Sequence, residues 1–202
     1  MPKSKDENQS TVKSAMKMMS TYIIDAAEDL KDDKIKEVIN QLLSARKIFL
    51  LGVGRSGLVG KAFAMRLMHL GFRVFVVGET ITPSVEKGDL VVVISGSGET
   101  QSVVDLAKIG KHLGAKIISV TSNPNSTAAR HADVLIVLGK RFKTDDMDYL
   151  ERQVRGAHRS LAPLGTLFEI TSMVFLDGIV AALMEITKKE EGDLKLRHAT
   201  LE

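Results

Sequence analysis

Short apolar runs alternate along the chain with longer segments of helical periodicity. The runs predict strands over residues 47–52, 73–77, 90–94, 116–120 and 133–137. Residues 90–94 are apolar throughout instead of alternating, which is typical of a parallel strand buried on both faces. Strands that alternate with helices favour a doubly wound α/β fold, with a mostly parallel five-stranded sheet flanked by helices.

The intervening segments predict helices over residues 56–70, 99–113, 126–131 and 166–187. Gly71 and Gly114 follow the first two, at the position where a glycine commonly ends a helix. Two further helices are predicted before the first strand, an amphipathic one near residues 11–29 and another near residues 33–45.

These elements predict a single domain over residues 1–202. The domain would have an N-terminal helical extension over about residues 1–45 and a short C-terminal tail over about residues 189–202. Residues 139–165 are charged, and their pattern is ambiguous.

Two segments rich in glycine and hydroxyl groups follow predicted strands. Residues 52–57 (Gly-Val-Gly-Arg-Ser-Gly) follow the first strand, and residues 95–100 (Ser-Gly-Ser-Gly-Glu-Thr) follow the strand at 90–94. A strand, a glycine turn and a helix start form an anion site, because free N–H groups and the helix dipole both favour negative charge. Two such turns suggest one cleft at adjoining strand ends. The added hydroxyl groups suit a phosphate, and they belong to Ser56, Ser95, Ser97 and Thr100.

Other interpretations of these loops remain open. Glycines 52, 54 and 57 also match the dinucleotide fingerprint, with Glu79 near the expected position of its acid. The hydroxyl groups of the second loop and the helices before the first strand disfavour a dinucleotide. Ser56 by itself is better explained as a helix cap, and Arg55 is equally a ligand or a solvated charge. A phosphorylated small molecule is the favoured ligand.

Glu169 is the leading candidate for acid–base chemistry. If Thr166 caps the last long helix, Glu169 completes a capping box with it, which is a purely structural role. However, that helix is apolar on all sides, and a partly desolvated carboxylate there would be a useful general base. Asp177, further along the same helix, is expected to form a structural hydrogen bond or ion pair.

Composition excludes several classes of site. The chain has no cysteine and no histidine pair at metal-binding spacing, so we expect neither thiol chemistry nor a metal site. A net charge of +3, with mixed signs along the chain, gives no indication of nucleic-acid binding. The longest apolar stretch, residues 170–186, contains Asp177 and is better explained as a buried helix than as a membrane span. A cytoplasmic protein is therefore expected.

The two glycine loops resemble those of the SIS (sugar isomerase) domain. The resemblance is closer to the 6-phospho-3-hexuloisomerase family within it, on residues 64–72, 77–80, 163–169 and 197–202. It implies a flavodoxin-like SIS fold and interconversion of D-arabino-3-hexulose 6-phosphate and fructose 6-phosphate through an enediol. This reaction belongs to formaldehyde fixation by the ribulose monophosphate pathway or, in reverse, to pentose supply. No metal or nucleotide cofactor is implied.

The resemblance also implies roles for individual residues and an assembly. Glu169 would be the base, and His198 in the tail would enter a neighbouring subunit's site in a homotetramer. The phosphate would be held by Ser56, Ser95, Ser97 and Thr100, with further substrate contacts from Gly54, Arg55 and Gly96. Alternatives are another phosphosugar isomerase, such as one for arabinose 5-phosphate, and a non-catalytic phosphosugar-binding module of a transcription regulator. The N-terminal extension is too short and too weakly basic for the DNA-binding part of such a regulator.

Overall fold

One parallel sheet organises the fold. The computed structural model describes residues 5–139 and 165–195. Its strands are β1 (Ile48–Leu51), β2 (Val74–Val76), β3 (Leu90–Ile94), β4 (Lys116–Thr121) and β5 (Val134–Val137). All neighbouring strands are parallel, in the order β2-β1-β3-β4-β5. The predicted doubly wound α/β fold is confirmed, and each predicted strand matches within one residue at either end.

Helices cover both faces of the sheet. They are α1 (Lys5–Asp29), α2 (Asp32–Ser44), α3 (Gly54–His69), α4 (Gln101–His112), α5 (Thr127–His131), α6 (Thr166–Thr187) and α7 (Glu191–Lys195). As predicted, Gly71 and Gly114 follow α3 and α4 with φ angles of 89° and 90°, in the left-handed region that glycine adopts without strain. The ambiguous residues 140–164 lie outside the described residues.

The core has two layers because successive strand residues face opposite sides. In β1, Ile48 and Leu50 pack with residues of α2, α3 and α6, whereas Phe49 and Leu51 pack with residues of α4 and α5. All four side chains are buried. The continuous apolar strands of the sequence therefore correspond to a sheet covered on both faces.

The strand order places a topological switch point between β1 and β3. The chain runs outward from β1 to β2 and returns to β3 on the other side of β1. The loop after β1 (residues 52–57, the β1 loop) therefore lies beside the loop after β3 (residues 95–100, the β3 loop). Ligands of open α/β sheets bind at this point, outside the carboxyl ends of the strands.

The opposite edge of the sheet contains a buried ion pair. Lys47 and Asp89 directly precede β1 and β3, and Lys47 Nζ lies 3.3 Å from Asp89 Oδ2. Lys47 also donates to the Ser84 carbonyl at 2.8 Å, and Asp89 accepts from the Glu86 N–H at 2.8 Å. These bonds fix the end of the β2–β3 connection at the amino edge, away from the two glycine loops.

Helix α6 is a core helix with one exposed side. Within the described part of the chain it alone is long and apolar enough, by length and composition, to span a bilayer. Its buried residues join the core, and it packs against α3 and α1. Val174 and Ile186 on α6 are exposed, and so are Val12 (59%) and Met16 (63%) on the predicted amphipathic face of α1. Only part of that face is covered within one chain.

Candidate active site

The β3 loop is held by hydrogen bonds from its own hydroxyl groups. Ser95 is buried at the end of β3, and its Oγ accepts from the Gly98 N–H at 3.2 Å. Ser97 Oγ accepts from the Glu99 N–H at 3.3 Å. Because each hydroxyl accepts, its hydrogen remains available to donate to a ligand.

The carbonyl groups of the β3 loop are bound by residues from the end of β4 to the first turn of α5. Carbonyls 96, 97 and 98 each accept at 2.8–3.3 Å, from Thr121 Oγ1, Ser122 N, Ser122 Oγ, Asn123 Nδ2 and Ala128 N. Among the described residues, the N–H groups of Ser97 and Thr100 have no hydrogen-bond partner. The loop therefore has these three carbonyl groups occupied and the N–H groups of Ser97 and Thr100 free, which is the arrangement an anion requires.

The β1 loop supplies the second helix start. Val53 is the N-cap of α3, and Gly54 begins the helix with a φ of +59°. The interpretation of Ser56 as a helix cap is wrong, because Ser56 lies inside the first turn. A Cβ on Gly57 would lie 2.9 Å from the Gly52 carbonyl oxygen, so the loop closes tightly onto the helix.

Thr100 lies at the start of α4, at the position that Val53 occupies at the start of α3. It is the N-cap of α4, yet its side chain makes no capping hydrogen bond. Within the described residues, the hydroxyl groups of Thr100 and Ser56 make no hydrogen bond, and each lies at the N-terminal end of a helix. Two helix starts with free hydroxyl groups at one switch point favour binding of a dianionic group.

Glu169 is brought to the β1 loop by the first turn of α6. Arg55 Nε donates to Glu169 Oε2, and Arg55 Nη2 donates to Thr166 Oγ1 at 3.2 Å. The side chain of Glu169 is 13% exposed and that of Arg55 is 56% exposed. Arg55 is thus paired with a largely buried carboxylate instead of being a freely solvated charge.

The capping-box interpretation of Glu169 is wrong. Gly165, with a φ of +81°, is the N-cap of α6, so Thr166 is the first helical residue. Glu169 then lies one position beyond that of a capping-box acid. A Cβ on Gly165 would lie 3.0 Å from Glu169 Oε1, so glycine leaves room for the carboxylate as well as for the backbone.

Phe168 joins α6 to the β3 loop. A Cβ on Gly96 would lie 3.0 Å from Phe168 Cδ1 and 3.3 Å from Cγ, so the ring rests on the backbone of that glycine. The β1 loop, the β3 loop and the first turn of α6 (residues 165–169) therefore meet beyond the carboxyl ends of β1 and β3, and together they form the candidate site.

The other predicted residues have simpler outcomes. His198 and residues 163–164 lie outside the described residues. Glu79, the acid of the dinucleotide alternative, forms an ion pair with Lys61 Nζ at 2.6 Å. Asp177 forms the expected ion pair, 3.9 Å from Arg66 Nε. Within the described residues, no group of three or more metal-ligating side chains is brought together.

Glu99 is the residue of the candidate site that the sequence pattern did not single out. Its carboxylate accepts from the Thr127 N–H at 2.8 Å and from the Thr127 hydroxyl at 2.7 Å. The hydrogen bond from the Thr127 hydroxyl, with smaller contributions from the Thr127 N–H and the charge of Arg130, holds the pKa of Glu99 below its ordinary value. The available signal was an acid inside an otherwise anion-binding loop.

Comparisons with known proteins agree with this geometry. Residues 41–143 match the model of the SIS domain, which includes both glycine loops. The chain is 37% identical to a 3-hexulose-6-phosphate isomerase of Bacillus subtilis, over 88% of this chain and 91% of that protein. It is 40% identical to an enzyme of the same name from Methanocaldococcus jannaschii, over 84% of each chain.

A solved crystal structure shows that the similarity holds for the fold as well as for the sequence. A crystal structure of a Methanococcus jannaschii protein, for which a 3-hexulose-6-phosphate isomerase function was inferred, superposes with a TM-score of 0.77. It is 37% identical and covers 93% of this chain and 98% of that one. The relatives are isomerases by name, and the match to them extends far beyond the two glycine loops. The chain therefore belongs to the SIS domain family, with the 3-hexulose-6-phosphate isomerases among its relatives.

Proposed function

We propose that this protein is a 3-hexulose-6-phosphate isomerase, which interconverts D-arabino-3-hexulose 6-phosphate and fructose 6-phosphate. The observation that supports the proposal best is the position of Glu169. A largely buried carboxylate lies beside two loops suited to bind an anion, so a base and a phosphate site would be available to one small substrate.

Phosphate binding would position the substrate. The free N–H groups and hydroxyl groups of the β1 and β3 loops would hold the phosphate through Ser56, Ser95, Ser97 and Thr100. Gly54 and Gly96 let the backbone approach the ligand, because neither presents a side chain. The binding energy of this remote group would align the reacting carbons with Glu169.

Glu169 would transfer one proton between neighbouring carbons. In the direction of fructose 6-phosphate, its carboxylate takes the proton from C2 of the 3-hexulose, and the electron pair forms the C2–C3 double bond of an enediolate on O3. The resulting acid returns the proton to C3, and the hydroxyl proton of O2 passes to O3 as the C2 carbonyl forms, so that no proton is gained or lost overall. One carboxylate thus serves as base and then as acid.

Arg55 would have two partners during this cycle. Its guanidinium stabilises the carboxylate of Glu169 before the reaction. When the carboxylate takes up the proton, negative charge moves to the enediolate oxygen, and the same guanidinium is then close to an oxyanion that needs a donor. Because Arg55 is more than half exposed, it has room to turn from one partner to the other.

The tail and the assembly complete the proposal. His198 would move the hydroxyl protons in the site of a neighbouring subunit, with a side chain whose ordinary pKa suits transfer near neutrality. We expect a homotetramer of two dimers, supported by the exposed apolar residues on α1 and α6. A cytoplasmic location is the expectation for an enzyme of this class.

A coupled assay would test the activity. Purified protein should convert 3-hexulose 6-phosphate to fructose 6-phosphate, and in deuterated water it should exchange solvent deuterium into carbon-bound positions of fructose 6-phosphate. Arabinose 5-phosphate, offered in parallel, separates the main alternative. Preferred turnover of arabinose 5-phosphate would contradict the substrate, and phosphosugar binding without either reaction would favour the non-catalytic module.

A further inference from the structure

The β3 loop contains a negative charge where an anion is expected to bind. Glu99 lies between Gly98 and Thr100, close in sequence to the free N–H groups of Ser97 and Thr100. A carboxylate close to a phosphate is unfavourable, because like charges repel at short range. The charge of Glu99 therefore needs an explanation of its own.

Both oxygens of Glu99 are bound to the first residue of α5. The N–H of Thr127 donates to one oxygen at 2.8 Å, and its hydroxyl donates to the other at 2.7 Å. Arg130 Nη2 donates to the same Thr127 Oγ1 at 2.7 Å, and Arg130 Nη1 donates to the Asn125 carbonyl at 2.6 Å. The Thr127 hydroxyl thus donates its hydrogen to Glu99 and accepts from Arg130 with one of its lone pairs.

The backbone of Glu99 acts on the same loop. Its N–H donates to Ser97 Oγ at 3.3 Å, so the Ser97 hydrogen is left for a ligand. Gly98 is pressed against α5, since a Cβ there would lie 2.1 Å from Ser126 Oγ. The loop therefore has one defined position against α5, and Glu99 joins the two elements at the exposed end of that contact.

We propose that Glu99 is a positioning residue that ties the β3 loop to α5, so that the donors of Ser97 and Thr100 converge on the substrate's phosphate. The negative charge is used in the tie to Thr127 and Arg130 instead of opposing the ligand. This inference rests on the proposed function only in that the β3 loop binds the phosphate.

Replacing Glu99 with glutamine tests the sign of the effect. The amide keeps one acceptor, but it places an NH2 group against a hydroxyl that already accepts from Arg130. We expect the Kd of inorganic phosphate, measured by calorimetry, and the KM for fructose 6-phosphate to rise together by about three- to ten-fold. The kcat should stay within about two-fold, because the phosphate contacts are similar in ground and transition states.

The opposite result has a clear meaning. If Glu99 is merely an exposed charge near the site, its neutralisation removes repulsion, and phosphate binds more tightly. Unchanged or tighter phosphate binding by Glu99→Gln would overturn the proposal. If the wild-type chain binds neither phosphate nor fructose 6-phosphate, the proposed function fails instead.

Two further variants separate the tie from general effects. Asp105→Asn removes a carboxylate on α4 that accepts from Gln101 Nε2 at 2.8 Å and, within the described residues, has no hydrogen bond or ion pair with the β3 loop. It should leave phosphate affinity unchanged.

Thr127→Val keeps the N–H and the branched shape but removes the hydroxyl, and it should weaken phosphate binding, as Glu99→Gln does. The double variant should bind phosphate as well as whichever single variant binds it less tightly. Additive losses of affinity would contradict a shared contact.

Discussion

Replacing Glu169 with glutamine should abolish most of the turnover while leaving the fold nearly intact. The amide has the size of the carboxylate, and its oxygen can still accept from Arg55 Nε. It cannot take a proton from carbon. A positioned acid or base contributes about 100- to 10,000-fold, so kcat should fall by that factor, which corresponds to about 3–5 kcal/mol of barrier.

The loss of stability follows from the same contact. A hydrogen bond to a charged partner is stronger than a neutral one by about 1 kcal/mol. More than half of the Arg55 side chain is exposed, so solvent screening reduces this difference to about 0.5–1 kcal/mol. For 202 residues, an unfolding entropy of about 2.1 cal/mol/K per residue converts that loss to a Tm decrease of about 1–2 °C. Rate and stability should therefore respond on very different scales.

The assay is steady-state isomerisation together with thermal unfolding and phosphate calorimetry. Asp177→Asn is the matched control, because it makes the same acid-to-amide change on α6, at an arginine-paired carboxylate outside the candidate site. Its activity should equal that of the wild type. Full activity of Glu169→Gln would refute the assignment of the base, and a large fall in Tm would show that the lost rate reflects damage to the fold.

Three further outcomes are expected. Gly96→Ala places a methyl group 3.0 Å from the ring of Phe168, so the β3 loop or the ring must shift. Phosphate calorimetry should show several-fold weaker binding, and stability should fall by about 1–3 kcal/mol. Wild-type affinity would show that the ring moves aside without disturbing the loop. The pKa of Glu99 is lowered in the folded state, so its contribution to stability is full above the ordinary carboxyl range and is lost as pH falls through the lowered value. The Tm difference between wild type and Glu99→Gln should therefore vanish only at strongly acidic pH. A difference that vanishes at or above the ordinary carboxyl range would contradict the lowered pKa. If His198 serves a neighbouring subunit, mixtures of inactive Glu169→Gln and His198→Ala chains should regain activity on subunit exchange, and no recovery after confirmed exchange would place both residues in one subunit's site.

The fold was predictable because its signals are local. Residues 90–94 are apolar at every position, and a parallel strand covered on both faces requires such a run. Gly71 and Gly114 end their helices through a φ that other residues adopt with strain. The start of α1 was missed by six residues, since Lys5–Ser10 has a polar sequence without apolar periodicity.

The loops of the site were predictable for the same reason, but the pairs between side chains were not. Arg55 and Glu169 are 114 residues apart in sequence and meet only because α6 packs across α3. The tie between Glu99 and Thr127 depends likewise on the position of α5 beside the β3 loop. The capping box failed because Gly165 takes the cap position in a left-handed conformation, which a three-residue spacing cannot reveal. The roles of Glu169 and His198 as catalytic residues stay predictions.

The contact of Phe168 with Gly96 would fix the distance between the substrate's phosphate and its reacting carbon. Phe168 and Glu169 are consecutive, so the residue that rests on the β3 loop and the proposed base move together. If the β3 loop binds the phosphate and Glu169 is the base, the span from the phosphate to the reacting carbon would be set by this one helical turn. In 3-hexulose 6-phosphate and in arabinose 5-phosphate, the same number of carbons separates the phosphate from the reacting pair. This turn would therefore accept both skeletons equally, and the choice between them would lie at the far end of the sugar, where only the hexulose has a further hydroxymethyl group. Residues that contact that hydroxymethyl group, beyond the base as seen from the phosphate, are where substrate preference would be changed without loss of catalysis.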